Sequence, residues 1–200
     1  MTRGTGIRYL AFLRGMNIGG HRVSMSDLRD LFVALKFTNV ETFIASGNVI
    51  FDASGRASAD VLEKRIESHL REALGYAVAT FLRTPGELSS IAQRVPFPAA
   101  EVAAADHTVH VGFLRRAPDA ALTTHLARLA TTFDAFGVGA REMYWLTRGK
   151  TTDSLVKWPV VEKALKLDVT MRNLTTVRKL TEKYSPRADD ACLAPSPSPS

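Results

Sequence analysis

LAFLRGMNIGGHRVSMSDLRDLFVALKFTNVETFIASGNVIF, residues 10–51, is the stretch whose reading decides the fold. Its first residues complete an apolar run, Ile7–Arg14, whose poor alternation suits a strand covered on both faces. Asn17 to Gly20 supplies loop chemistry. Ser24-x-x-Asp27 opens a helix in the manner of a capping box, with aspartate where Glu or Gln is usual. Met25, Leu28, Leu31, Phe32 and Leu35 recur at helical spacing, so that helix buries one face. Val40–Ala45 and Val49–Ala53 are β-rich runs joined through Ser46-Gly47-Asn48, a hairpin signal. Outward from this stretch, Ser58 stands where it caps a second helix with Leu62, Ile66, Leu70 and Leu74 inside, and Gly75 ends it. Ala77–Arg83 returns as a strand. The order is β-α-β-β-α-β, the split βαβ or ferredoxin-like arrangement.

The second half repeats this theme less clearly, and no repeat exists at the level of residue identity. Gly86–Arg94 reads as a short helix and Pro96-Phe97-Pro98 as a rigid extended link. His107–Leu114 reads as a strand. Ala120–Phe133 reads as a helix with Leu122, Leu126 and Leu129 inward, and Arg141–Thr147 as an aromatic strand. A helix starts at Pro159 and runs to Leu167, and a last helix covers Asn173–Tyr184 with Asn173 as N-cap. The tail, residues 188–200, ends in Ala-Pro-Ser-Pro-Ser-Pro-Ser and reads as disordered.

Composition narrows the classes. At 200 residues the chain holds one domain or two small ones. It buries enough surface to need no staples, roughly 70% of what its unfolded form exposes. The single cysteine, Cys192, forms no internal disulfide, which fits a reducing cytoplasm. No apolar run approaches the roughly 20 residues of a membrane span, and the N-terminal segment reads as a strand rather than a signal peptide. The net charge is +6. Residues 150–187 carry nine Lys/Arg against four Asp/Glu, so this third holds +5 of the +6. Such a segment suits an anionic partner, a phosphorylated small molecule or nucleic acid, and equally a solvated face that aids solubility.

The motifs divide into turns and anchors. Arg14-Gly15-Met16-Asn17-Ile18-Gly19-Gly20 lies between a strand and a helix, where glycines let backbone amides approach a ligand. It is neither a Walker A loop nor a GxGxxG fingerprint, and a tight turn explains it as well. Ser46-Gly47-Asn48 lacks the strand-to-helix setting of a nucleophile elbow, and turn chemistry accounts for all three residues. Ser154-x-x-Lys157 matches the serine–lysine pair of penicillin-recognising enzymes, but the accompanying elements are absent. His107 and His110 are three apart on a strand and face opposite sides, so neither they nor the other histidines make a zinc pattern. No close carboxylate pair suggests general acid–base work. In Thr170-Met171-Arg172-Asn173-Leu174-Thr175-Thr176-Val177-Arg178-Lys179-Leu180, helical spacing turns Leu174, Val177 and Leu180 inward and sets Arg172, Thr176, Lys179 and Lys183 on one side. An arginine beside a helix N-terminus favours an anion.

Residues 10–51 and Thr170–Leu180 together resemble the bacterial domain-of-unknown-function family 1697. The closing signature of that family is Thr-x-Arg-Asn-Trp-x-Thr-Val-x-Lys-Leu, and this chain departs from it at Leu174, where tryptophan is common. Pro96-Phe97-Pro98, Val109–Leu114, Arg141–Leu146 and Glu162–Leu165 also look like family segments, so the resemblance spans Arg8 to Tyr184. It implies a bacterial cytoplasmic α+β protein with ferredoxin-like halves, and no reaction.

The expected architecture is therefore α+β, two split βαβ lobes at 1–85 and 86–187 with additional C-terminal helices. The expected function is binding of an anionic ligand, phosphate-bearing or nucleotide-like. Arg14, Arg172 and Lys179 would supply charge, Asn17, Ser46 and Asn48 would orient the ligand by hydrogen bonds, and Asn173 is a further candidate. No cofactor, metal or membrane is expected. The alternatives are a small transferase or hydrolase acting on a phosphorylated substrate, in which the same groups stabilise developing charge, and a nucleic-acid surface.

Overall fold

The structure, a computed structural model, describes residues 6–16, 22–44, 47–54, 57–165 and 168–185. The chain divides into two compact units, residues 1–89 with 180–200, and residues 90–179. The expected disordered tail lies outside the described residues.

The first unit is built as its sequence pattern requires. β1 (Ile7–Arg14), α1 (Met25–Ala34), β2 (Thr38–Thr42), β3 (Asn48–Ala53), α2 (Ala59–Leu74) and β4 (Ala79–Arg83) follow in order. The sheet order is β2-β3-β1-β4, with every neighbouring pair antiparallel. One sheet face carries Tyr9, Ala11, Leu13, Val49, Phe51 and Leu82, which pack on Leu28 and Phe32 of α1 and Leu62, Ile66 and Leu70 of α2. Phe37 stacks on Phe51 at 4.2 Å. Leu10, Phe12 and Ile50, on the other face, are also buried, which is why β1 shows no clean alternation.

Local chemistry sets the helix ends. Ser24 Oγ accepts from the Asp27 amide at 3.0 Å, as the capping pattern implies. Ser58 occupies the N-cap of α2, but its side chain makes no capping bond. Gly75 adopts φ +81° and its amide donates to Arg71 O at 2.9 Å, ending α2. β2 begins at Thr38, two residues before the expected start. Its pairing with β3 shifts register between Thr38 and Glu41, where Asn39 takes a left-handed φ of +50°.

α3 (Pro85–Gln93) begins with a reciprocal capping box. Thr84 Oγ1 accepts from the Glu87 amide at 3.2 Å, and Glu87 Oε2 accepts from the Thr84 amide at 2.8 Å.

The second unit repeats the topology. α4 (Ala99–Ala103), β5 (His107–Leu114), α5 (Ala120–Leu129), β6 (Asp134–Val138), β7 (Glu142–Arg148), α6 (Trp158–Leu165) and β8 (Val169–Asn173) give a sheet ordered β6-β7-β5-β8. α6 is thus the second crossover of this sheet. One further helix, α7 (Leu174–Lys183), closes the chain's regular structure. Leu114, Met143, Trp145 and Val169 pack with Leu122 and Leu126 of α5.

Two strands of this unit escaped the sequence reading. The helix expected to run to Phe133 stops at Leu129. Thr131 Oγ1 accepts from the amides of Phe133 and Asp134, at 3.0 and 2.9 Å, and so offers the backbone an alternative to another helical turn. The chain then enters β6. β8 occupies Val169–Asn173, which the sequence reading left outside any strand; it pairs with β5 from His110↔Asn173 to Leu114↔Val169.

Candidate functional site

Two turns singled out in the sequence meet at one end of the first sheet. Arg14 ends β1 opposite Ala79, and Gly15 then takes a left-handed φ of +85°. Gly47 does the same at φ +68°. The Leu13 amide donates to Gly47 O at 2.8 Å, and a Cβ at Gly47 would lie 3.2 Å from both Leu13 Cβ and Met16 Cγ. The closeness of the two turns therefore requires glycine there. Tyr76 OH donates to Met16 O at 2.9 Å and holds the first turn from α2's far end. Asn48 is buried; its Nδ2 donates to Phe43 O at 3.1 Å, while the Phe43 amide donates to Asn48 O at 3.0 Å. Asn48 thus clamps its own hairpin loop. In that loop Ile44, β-branched and 53% exposed, sits at φ +48°, a conformation that costs such a residue about 1–3 kcal/mol. Asn17 and Ser46 lie outside the described residues.

Arg172, Asn173 and Lys179 belong to the second unit. Arg172 is on β8 rather than in the last helix, so it follows the two-residue alternation of a strand. It does not extend the helical stripe of Thr176, Lys179 and Lys183 that the spacing suggested. It shares a sheet face with its cross-strand partner Val111 and with Tyr144. Its Nη1 donates to Thr170 Oγ1 at 2.9 Å and to Met171 O at 2.8 Å, and burial pulls its pKa down to about 10. Asn173 caps α7, accepting from the Thr175 amide at 2.8 Å. Leu174, which stands at the resembled family's tryptophan position, is buried with Val177 and Leu180.

The first unit holds a counterpart that the sequence reading missed. Arg83 on β4 is fully buried and its Nη1 donates to Leu82 O at 2.7 Å, as Arg172 does to Met171 O. The available signal was an arginine closing the apolar run Ala79–Arg83. Lys150, Lys157, Lys163, Arg178, Lys179 and Lys183 are exposed, so Arg172 is the one buried cation among the described residues of the basic third.

Ser154 and Lys157 do not form a nucleophile pair. Ser154 is buried, and its hydroxyl donates to Asp134 Oδ1 at 2.8 Å while accepting from the Val156 amide at 3.0 Å. Lys157 Nζ meets the Ser154 carbonyl instead, at 3.3 Å. Asp134 also accepts from Trp145 Nε1 at 2.8 Å, so this carboxylate and serine anchor the tryptophan. Among the described residues no three His, Cys, Asp or Glu side chains gather as a metal site, and no helix is long and apolar enough to cross a membrane.

Comparison with known proteins gives the family and the fold. Residues 7–144 match the model of a family described as a protein of unknown function, DUF1697. The Thr170–Leu180 segment lies beyond the matched residues. No curated protein matches the chain. Among solved structures, the chain is similar to the conserved bacterial protein SP0830 from Streptococcus pneumoniae, with a TM-score of 0.69 at 20% identity, over 91% of this chain and 100% of that one. At that identity the likeness concerns the fold. The chain belongs to the DUF1697 family.

Proposed function

We propose that this DUF1697 protein binds a small anionic ligand, phosphate-bearing or nucleotide-like, at the end of the first sheet where its two glycine turns meet. The observation that carries this reading is the contact of Leu13 N with Gly47 O, which sets Gly15 and Gly47 side by side in left-handed conformations. Backbone bared by glycine can approach a ligand closely, and half-buried Arg14 brings a cation to the same end of the sheet. Asn17 and Ser46, which flank these turns in the sequence, are the proposed hydrogen-bonding partners. A bacterial cytoplasm is the proposed setting.

The test is a thermal-shift screen of the full chain against nucleotides, phosphorylated metabolites and short oligonucleotides at two salt concentrations. A ligand present at about 100 times its Kd stabilises the fold by about 2.7 kcal/mol. A salt-resistant shift from one small molecule, reduced in Arg14→Ala, is the expected result. No shift from any small anion, or a full shift retained in Arg14→Ala, sinks the reading. Stabilisation by any oligonucleotide that vanishes at high salt points to a nucleic-acid surface instead.

A further inference from the structure

Four residues in direct register cross the second sheet in one row: Phe136 on β6, Trp145 on β7, His110 on β5 and Asn173 on β8. Trp145 is the buried member, while Phe136, His110 and Asn173 are each partly exposed. The Phe136 and Trp145 rings lie 6.0 Å apart and 15° from parallel, and His110 lies 5.9 Å from Trp145. Trp158 of α6, also partly exposed, stacks on Trp145 at 6.2 Å.

Polar atoms of this row lack the partners that core groups ordinarily have, as a few others in the molecule do. His110 Nδ1 and Trp158 Nε1 are buried and have no hydrogen-bond partner among the described residues. The Asn173 amide nitrogen donates to none of the described residues, its oxygen being taken by the helix cap. Native interiors satisfy nearly all buried polar groups, because one left open opposes folding. Elsewhere in the same cluster the rule holds, since Trp145 Nε1 has Asp134 and Asp134 has Ser154. Burial holds the His110 pKa below its ordinary value, so the ring is neutral and carries one acceptor and one donor nitrogen.

We propose that this row is a binding site for a planar heteroaromatic ring of the nucleobase class, stacked on the aromatic strip and hydrogen-bonded by His110, Asn173 and Trp158. Trp158 and Asn173 offer donors, so the ring needs carbonyl or aza acceptors, as guanine and uracil have. Flat rings suit the near-parallel aromatic faces, since every nucleobase has a π-face that stacks on an aromatic side chain. Apart from Asn173, which the sequence also groups with the anionic-ligand residues, the site stands on residues other than those of the proposed anion site and does not depend on it.

Trp145 and Trp158 are the only tryptophans of the chain, so selectively excited tryptophan fluorescence reports on this cluster alone. The full chain is titrated with guanosine, with uridine and, as a charged control without a base, with ribose 5-phosphate. Saturable quenching by guanosine or uridine, and none by ribose 5-phosphate, is expected. His110→Phe keeps a ring in the row and removes its nitrogens. Asn173→Asp keeps the oxygen that caps α7 and removes the amide donor. Each is expected to weaken binding about tenfold, the worth of one hydrogen bond, with an unchanged far-ultraviolet dichroism spectrum. Absence of saturable quenching by both nucleosides overturns the proposal. So does equal quenching by ribose 5-phosphate, or affinity unchanged in both variants.

Discussion

Gly47 shows how one missing side chain positions two turns. An alanine there would hold φ +68° with its Cβ 3.2 Å from Leu13 and Met16. Gly47→Ala is expected to cost about 1–2 kcal/mol from the left-handed backbone alone, and more if Met16 cannot yield. Urea denaturation of the two proteins measures it. His110 makes the opposite case, a side chain present in a place that penalises its charge. Burial lowers its pKa in the folded protein, whereas the unfolded chain titrates near the ordinary value of about 6.5. Above that pH both states are neutral and the residue adds no pH dependence. As the pH falls through about 6.5, the unfolded chain takes up a proton that the folded protein resists, and stability declines. Denaturant midpoints between about pH 8 and about pH 5 should fall less in His110→Phe than in the parent, and identical slopes would show that His110 is not the titrating group. At this scale the sequence marked Gly47 as a turn glycine and Asn173 as a cap. It could not mark His110, because its aromatic neighbour Trp145 comes from β7.

Helix ends that look alike in sequence differ in the structure, and that difference is measurable. Ser24 caps α1 through its hydroxyl, whereas Ser58 only occupies the position before α2. Ser24→Ala is expected to cost about 1 kcal/mol and Ser58→Ala clearly less; equal losses would contradict the capping geometry. Edge strand β4 is protected by α2. Glu63 Oε1 accepts from the Leu82 amide at 2.7 Å, and Glu67 Oε1 from the Thr80 amide at 2.8 Å. Two carboxylates one helical turn apart thus cover an edge otherwise open to pairing with another chain. Glu63→Leu removes the acceptor that Glu63 offers the Leu82 amide and is expected to cost about 1–3 kcal/mol. Glu63→Gln keeps an acceptor and should lose less, with Leu82 amide exchange as the readout. Elements with strong periodicity, such as α1 and α2, were legible in the sequence. β6 and β8 were not, because each is short and mixed in polarity, and its pairing with β7 or β5 is what makes it a strand.

The molecule as a whole is two copies of one topology without a shared sequence, and the chain ends by returning to its first unit. Leu180 and Tyr184 are buried there, and Tyr184 OH donates to Glu41 Oε2 at 2.7 Å, beside Lys183 Nζ at 3.1 Å. Ending the chain after Lys179 removes both buried side chains, each worth about 1.5–3 kcal/mol. The truncated protein is expected to melt well below the parent, and an unchanged melting temperature would mean that the terminal helix is dispensable to the first unit. The sequence by itself determined the fold class, the βαββαβ order of the first unit, the helix faces and the family, because these follow from local periodicity and turn chemistry. Only the tertiary structure decided that β6 and β8 complete the second sheet, that Arg172 sits on a strand, and that the two glycine turns touch. It also placed His110, Asn173 and both tryptophans around one row. Each of these depends on which strands pair, and pairing brings together residues far apart in the chain that no local pattern connects.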